Sequence, residues 1–137
     1  MSWDAVLVRT KGKPGPAWEA EEVPLGKRTD VLAAIMAVFP SATRDTRTQL
    51  FCRDGDLSIE FHFQGKNPVE SILLEVRGEG DPITPLLDLA ARNGWALLDC
   101  STSEFIDPKN PSDNGNGGYR KLVKGISCRK PPRRRKR

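Results

Sequence analysis

The chain has 137 residues, of which 37% are hydrophobic and 29% are charged, and its formal net charge is +4. This length predicts one domain, and the composition is typical of a soluble globular protein. No apolar run approaches the roughly 20 residues of a membrane-spanning helix, and the N-terminus does not resemble a signal peptide, so we expect a cytoplasmic protein without membrane contact.

The first predicted elements are a strand and a helix. Residues 3–9 contain β-branched and aromatic side chains and predict a strand. Between Asp30 and Phe39 apolar residues recur about every four positions, which predicts an amphipathic helix. Thr29 is the expected N-cap of this helix, and Pro40 is expected to end it.

Three strands are predicted in the middle of the chain. Residues 49–53 and 57–63 flank Asp54-Gly55-Asp56, a sequence typical of a tight hairpin turn. Residues 71–77 form the next predicted strand. In the last two strands apolar and polar residues alternate, so one face of each strand is expected to enter the core and the other to stay outside.

A second helix and a fifth strand complete the predicted domain. Asp81 is the expected N-cap, Pro82 the first helical residue and Gly94 the C-terminal stop. Residues 95–100 predict the fifth strand. The order β-α-β-β-β-α-β predicts an α+β fold in which both helices cover one face of an antiparallel sheet of about five strands. The other face is expected to remain open to solvent or to a partner.

The C-terminal end differs in charge from the rest of the chain. Residues 1–118 contain 12 basic and 18 acidic residues, a net charge of −6, whereas residues 119–137 contain 10 basic residues and no acid. We therefore predict a single acidic domain over 1–118 and a disordered basic tail over 119–137. Within the tail, residues 119–128 are weakly compatible with one more strand, but residues 129–137 contain no apolar side chain.

The basic tail is a candidate for non-specific contact with nucleic-acid phosphates. The alternatives are a solubilising terminus or a segment that folds back onto the acidic domain. The candidate residues are Arg129, Lys130, Arg133, Arg134, Arg135, Lys136 and Arg137.

Several short motifs resemble those of a family of small, uncharacterised bacterial proteins. The motifs are Met-Ser-Trp-Asp at 1–4, Pro-Leu-Gly at 24–26, Phe-Pro at 39–40, Ser-Ile-Glu-Phe at 58–61, Val-Arg-Gly at 76–78, Gly-Asp-Pro at 80–82, Gly-Trp at 94–95, Leu-Asp at 98–99 and Glu-Phe-Ile-Asp at 104–107. Proteins of this size and style resemble the immunity proteins of contact-dependent toxin systems. The family pattern tends to have Asn at the position of His62 and His at that of Glu75, so the resemblance implies no fixed metal or catalytic role there.

The polar face of the third and fourth strands is the most informative candidate site. Pairing the inward residues sets Ile59, Phe61 and Phe63 opposite Val76, Leu74 and Ile72. This register places Glu60 opposite Glu75, with His62 opposite Leu73 and Ser58 opposite Arg77. Like charges that face each other on a sheet are unfavourable, which suggests a basic partner, a cation or relief by a neighbouring base. The open interpretations are a solvated sheet face, a protein-binding surface formed by Glu60, His62, Glu75 and Arg77, and a catalytic or metal site.

Other catalytic patterns find little support in the sequence. The three widely spaced cysteines indicate neither a disulfide framework nor a zinc site, and Cys52 and Cys100 are expected to be small buried hydrophobic residues. The serines at 101 and 103 lack a G-x-S-x-G context, and a single His offers no His pair for zinc. The glycines before Asp81 predict a strand-to-helix turn rather than a phosphate loop. We therefore predict no catalytic residue, no metal and no cofactor.

The sequence leads to three functional hypotheses. The first is a non-enzymatic protein-binding module, such as an immunity-like inhibitor of a basic bacterial toxin, because an acidic domain attracts a basic partner. The alternative is a nucleic-acid-associated protein that binds through its basic tail. The second alternative is a small enzyme or metal-binding domain that uses Glu60, His62 and Glu75.

Overall fold

Eight strands and two helices are present in residues 2–12, 21–46, 49–63 and 66–109, which a computed structural model describes. The strands are β1 (Ser2–Thr10), β2 (Glu22–Val23), β3 (Thr43–Thr46), β4 (Gln49–Asp54), β5 (Leu57–Phe63), β6 (Ile72–Arg77), β7 (Ala96–Asp99) and β8 (Glu104–Phe105). The helices are α1 (Arg28–Val38) and α2 (Ile83–Asn93).

The strands pair in the order β3-β4-β5-β6-β1-β7-β8, and β2 pairs with the end of β1. Every pairing is antiparallel, which confirms the predicted class and sheet type. The expected number of about five strands is wrong, because β2, β3 and β8 are additional. These strands have only two to four residues, too few to form an alternating pattern that reveals a strand.

One face of the sheet and both helices form the core. Alternate residues of the long strands are buried, such as Ala5 and Leu7 on β1 and Leu74 on β6. They pack in one cluster with the inner residues of the helices, among them Ile35 of α1 and Leu86 of α2. Both described helices therefore lie on the same side of the sheet, as predicted, and the central strand β1 is held between β6 and β7.

The two helices begin differently. Helix α1 starts at Arg28, so Thr29 is its second residue and not its N-cap, a prediction that is wrong. Instead, the side-chain Oδ1 of Asn67 accepts a hydrogen bond from the backbone N–H of Arg28 at 3.1 Å. A cap supplied by a residue 39 positions away leaves no local signal in the sequence.

The C-terminal end of helix α2 is as predicted, but the helix begins at Ile83, one residue after Pro82, the predicted first residue. Oδ1 of Asp81 accepts hydrogen bonds from the backbone N–H groups of Ile83 at 2.9 Å and Thr84 at 3.2 Å. Pro82 is in a helical conformation directly before the first residue of the helix. Gly94 ends the helix with a φ of 69°, in the left-handed region that glycine adopts without strain. The turn at Asp81 is therefore a helix cap, as predicted.

The structure describes two of the three cysteines, and both are free thiols. Cys52 is buried, as predicted, whereas Cys100 is only half-buried because it follows the last residue of β7. Cys128, the weak strand proposed for residues 119–128 and the basic residues from Arg129 to Arg137 lie outside the described residues. Neither described helix combines the length and the apolar character that crossing a membrane requires.

Candidate functional site

The predicted register of β5 and β6 is confirmed at all six pairs. Glu60 lies opposite Glu75, His62 opposite Leu73 and Ser58 opposite Arg77. The residues that alternate with them along β5 and β6 point to the other face and belong to the core that the helices cover. The polar residues therefore project from the second face of the sheet, where they are exposed or half-buried.

His62 lies between the two carboxylates. Its Nε2 atom is 3.1 Å from Oε1 of Glu60 and 3.1 Å from Oε1 of Glu75. Glu60 and His62 are two residues apart on β5, so they share a face, and the strand pairing brings Glu75 beside both of them. The three side chains form a compact group, in which one ligand atom from each lies within 4.8 Å of the others. We call Glu60, His62 and Glu75 the acid–histidine cluster.

Arg77 completes the set of predicted site residues. One guanidinium nitrogen donates to Oε2 of Glu60 at 3.5 Å, and the other lies 3.8 Å from Oε1 of Glu75. The repulsion between the two carboxylates is therefore relieved by Arg77 on one side and by His62 on the other. Because the side chain of His62 is 24% exposed, solvent still reaches the acid–histidine cluster.

A third carboxylate, not identified from the sequence, continues the row. Asp4 on β1 lies directly opposite Glu75 on β6, and Glu75 lies opposite Glu60 on β5. The alternation of β1, with Trp3 and Ala5 inward, places Asp4 on the second face. The alternation of β1 is visible in the sequence, but the pairing of β1 with β6, which brings Asp4 beside Glu75, is not. We call Glu60, Glu75 and Asp4 the carboxylate row.

An apolar row runs beside the carboxylate row. Leu73 lies opposite Val6, Val6 opposite Leu98 and Leu98 opposite Phe105, so four neighbouring strands each contribute one residue. On β6, Leu73 is two residues from Glu75, and on β1, Val6 is two residues from Asp4. The two rows are therefore roughly 7 Å apart. Leu73 is 41% exposed, and the other three are half-buried.

The second face therefore combines two kinds of surface. The carboxylate row offers negative charge to a basic group. Covering the apolar row with a partner is favourable, because it removes apolar surface from water. Together the two rows form what we call the binding face. Val8, two residues along β1 from Val6, lies on the same face and is buried.

A cleft lies elsewhere, between the end of α1, the β4–β5 hairpin and the start of α2, with a volume of about 380 Å³. Three of its polar lining residues take part in local structure. Asp81 caps α2, and the Ser41 hydroxyl contacts the Cys52 thiol at 3.3 Å. The cleft is thus separate from the binding face, and the predicted site residues do not line it.

No protein-family model, curated protein or solved structure matches this chain.

Proposed function

We propose that this protein is a protein-binding module that uses the binding face to recognise a basic partner protein. The observation on which this proposal depends is the arrangement of an apolar row directly beside a carboxylate row, on the sheet face away from both described helices. Protein interfaces commonly combine an apolar centre with surrounding polar groups.

Charge supports a basic partner rather than an acidic one. Three carboxylates cross neighbouring strands, and residues 1–118 have a net charge of −6. Opposite charge accelerates encounter and disfavours partners of the wrong sign. A Lys or Arg of the partner would reach the carboxylate row while an apolar side chain covers Leu73.

An immunity-like role is the biological function that we propose for this binding. A small acidic domain that covers a basic surface of a toxin, such as a nuclease, would inhibit that toxin by occupying its substrate-binding surface. This proposal places the protein in the cytoplasm and assigns it binding without catalysis. The resemblance to small bacterial proteins and the charge of the domain both favour it.

Photo-crosslinking tests the binding face in cells. A photoreactive amino acid is placed at Leu73 on the binding face or at Met36 on α1, in the full chain. The two side chains are matched, since Leu73 is 41% and Met36 is 38% exposed, and they lie on opposite sides of the domain. We expect a crosslink to one basic protein from position 73 and none to that protein from position 36.

The captured protein is then purified and its affinity measured against variants. The Glu60→Gln/Glu75→Gln double variant is expected to bind more weakly, whereas Glu70→Gln/Glu79→Gln, which removes the same charge elsewhere, is expected to bind as the wild type does. Equal capture from both positions would contradict the proposal. So would crosslinks from Leu73 only to a second copy of the chain or to residues 119–137.

A further inference from the structure

We propose that the acid–histidine cluster binds one divalent transition-metal ion of the Zn²⁺ type. The three potential ligands are Oε1 of Glu60, Nε2 of His62 and Oε1 of Glu75, and they come from two adjacent strands of a regular sheet. The sequence alone favoured no metal here, because one His without a second His or a Cys is a weak zinc pattern.

Two of the three separations between ligand atoms are those expected around one shared ion, and all three lie within 4.8 Å. Ligand atoms that bind one zinc ion at about 2.0–2.2 Å lie roughly 3.0–3.5 Å from one another. Nε2 of His62 is 3.1 Å from a carboxylate oxygen on each side, so both nitrogen–oxygen pairs have that separation. The sheet pairing fixes the three backbone positions, so binding an ion requires little ordering of the chain.

The donor set selects the kind of ion. One imidazole with two carboxylates suits Zn²⁺ and related ions, because imidazole nitrogen is a poor ligand for Mg²⁺ and Ca²⁺. Three protein ligands leave at least one coordination position open, and solvent reaches the cluster because His62 is 24% exposed.

Arg77 acts as a positioning residue in this site. Its contact with Oε2 of Glu60 directs the other oxygen of that carboxylate, Oε1, toward His62. Partners that orient ligands in this way are part of most metal sites. With neutral imidazole, the two carboxylates and Arg77 retain one net negative charge, which attracts a divalent cation.

The metal site is independent of the proposed partner, because an isolated chain is sufficient to bind the ion. Both the metal ion and the basic partner would use the carboxylates of Glu60 and Glu75. An ion bound to these carboxylates cancels the charge that attracts a basic protein, so metal and partner are expected to weaken each other by the same factor.

The test is a metal titration of the full chain, freed of metal with a chelator. ZnCl₂ binding is measured by calorimetry, and Co²⁺ is used as a visible-light probe of the ligands. His62 is the only histidine in the chain, so imidazole NMR signals report on this site alone. The ligand variants are Glu60→Gln, His62→Asn and Glu75→Gln, and the control variants are Glu70→Gln and Glu79→Gln.

We expect one Zn²⁺ per chain, a saturable shift of the His62 imidazole signals, and at least about tenfold weaker binding in each ligand variant. The controls should bind as the wild type does. The proposal is wrong if the His62 signals of the wild-type chain do not respond to Zn²⁺, if ligand and control variants bind equally, or if the Co²⁺ spectrum has a thiolate band that assigns the ion to cysteine.

Discussion

The indole Nε1 of Trp3 on β1 donates a hydrogen bond to Oδ1 of Asp99 on β7 at 3.1 Å, in the buried core. The same oxygen accepts bonds from the backbone N–H of Ser101 at 2.9 Å and from its hydroxyl at 2.6 Å. Asp99 is only 1% exposed, and it holds the end of β7 against the central strand.

Replacing Asp99 with Ala is expected to lower the free energy of unfolding by about 1–3 kcal/mol, because it leaves buried donors without their acceptor. Urea unfolding measures this, with Trp3→Phe and the double variant completing a mutant cycle. A coupling energy near zero would show that the Trp3–Asp99 contact does not stabilise the fold.

Gly78, directly after β6, is expected to tolerate no side chain. Its φ is +87°, and a Cβ atom there would lie 1.8 Å from the backbone oxygen of Asp56. Gly55 is a matched control, because its φ is +64° but no atom lies within 4 Å of its Cβ position. Gly55→Ala should cost about 1 kcal/mol of stability from backbone strain alone.

Gly78→Ala should cost clearly more than Gly55→Ala, since the backbone of the β4–β5 turn must move to relieve the clash. Thermal and urea unfolding of the two variants give the comparison. Equal losses would mean that the turn moves freely and that the approach of Gly78 to Asp56 is not a constraint.

Removing the two facing carboxylates is expected to affect binding more than folding. Glu60→Gln/Glu75→Gln should change the free energy of unfolding by less than about 1 kcal/mol, because partly exposed ion pairs contribute little. Association with a basic partner should slow by about tenfold at low salt and become less sensitive to salt. Stopped-flow measurements test this, and an unchanged rate and salt dependence would remove the carboxylate row from the interface.

The basic tail provides a separate prediction. Deleting residues 129–137 should leave the melting temperature within a few degrees of the full chain, because terminal segments without apolar side chains add little to stability. Any affinity of the full chain for random duplex DNA should fall about a thousandfold between 50 and 200 mM salt and disappear with the deletion. Salt-insensitive binding, or binding retained by the deletion variant, would contradict non-specific phosphate contact through residues 129–137.

The alternating strands made part of the site predictable. In β5 and β6, apolar residues at every second position determined both the inward face and the register, so the pairing of Glu60 with Glu75 followed directly. The hairpin turn at Gly55 and the ends of α2 at Asp81 and Gly94 were equally local signals.

The remaining features depend on contacts between distant segments. The place of β1 between β6 and β7 brings Asp4 and Val6 to the binding face, and no local pattern determines strand order. The cap of α1 by Asn67 likewise joins residues that only the folded chain brings together. The apolar row was missed for the same reason, since Leu73 alone indicates only an ordinary exposed residue.

The most direct measurement of the central claim compares two substitutions in binding to the crosslinked partner. Leu73→Lys removes apolar surface and adds a positive charge on the binding face, whereas Met36→Lys makes the same kind of change on α1 at a similar exposure. Calorimetric titration should show at least about tenfold weaker binding for Leu73→Lys, a loss of roughly 1.4 kcal/mol, and unchanged binding for Met36→Lys. Equal affinities for the two variants would contradict the proposal that the sheet face away from the two described helices is the partner-binding surface.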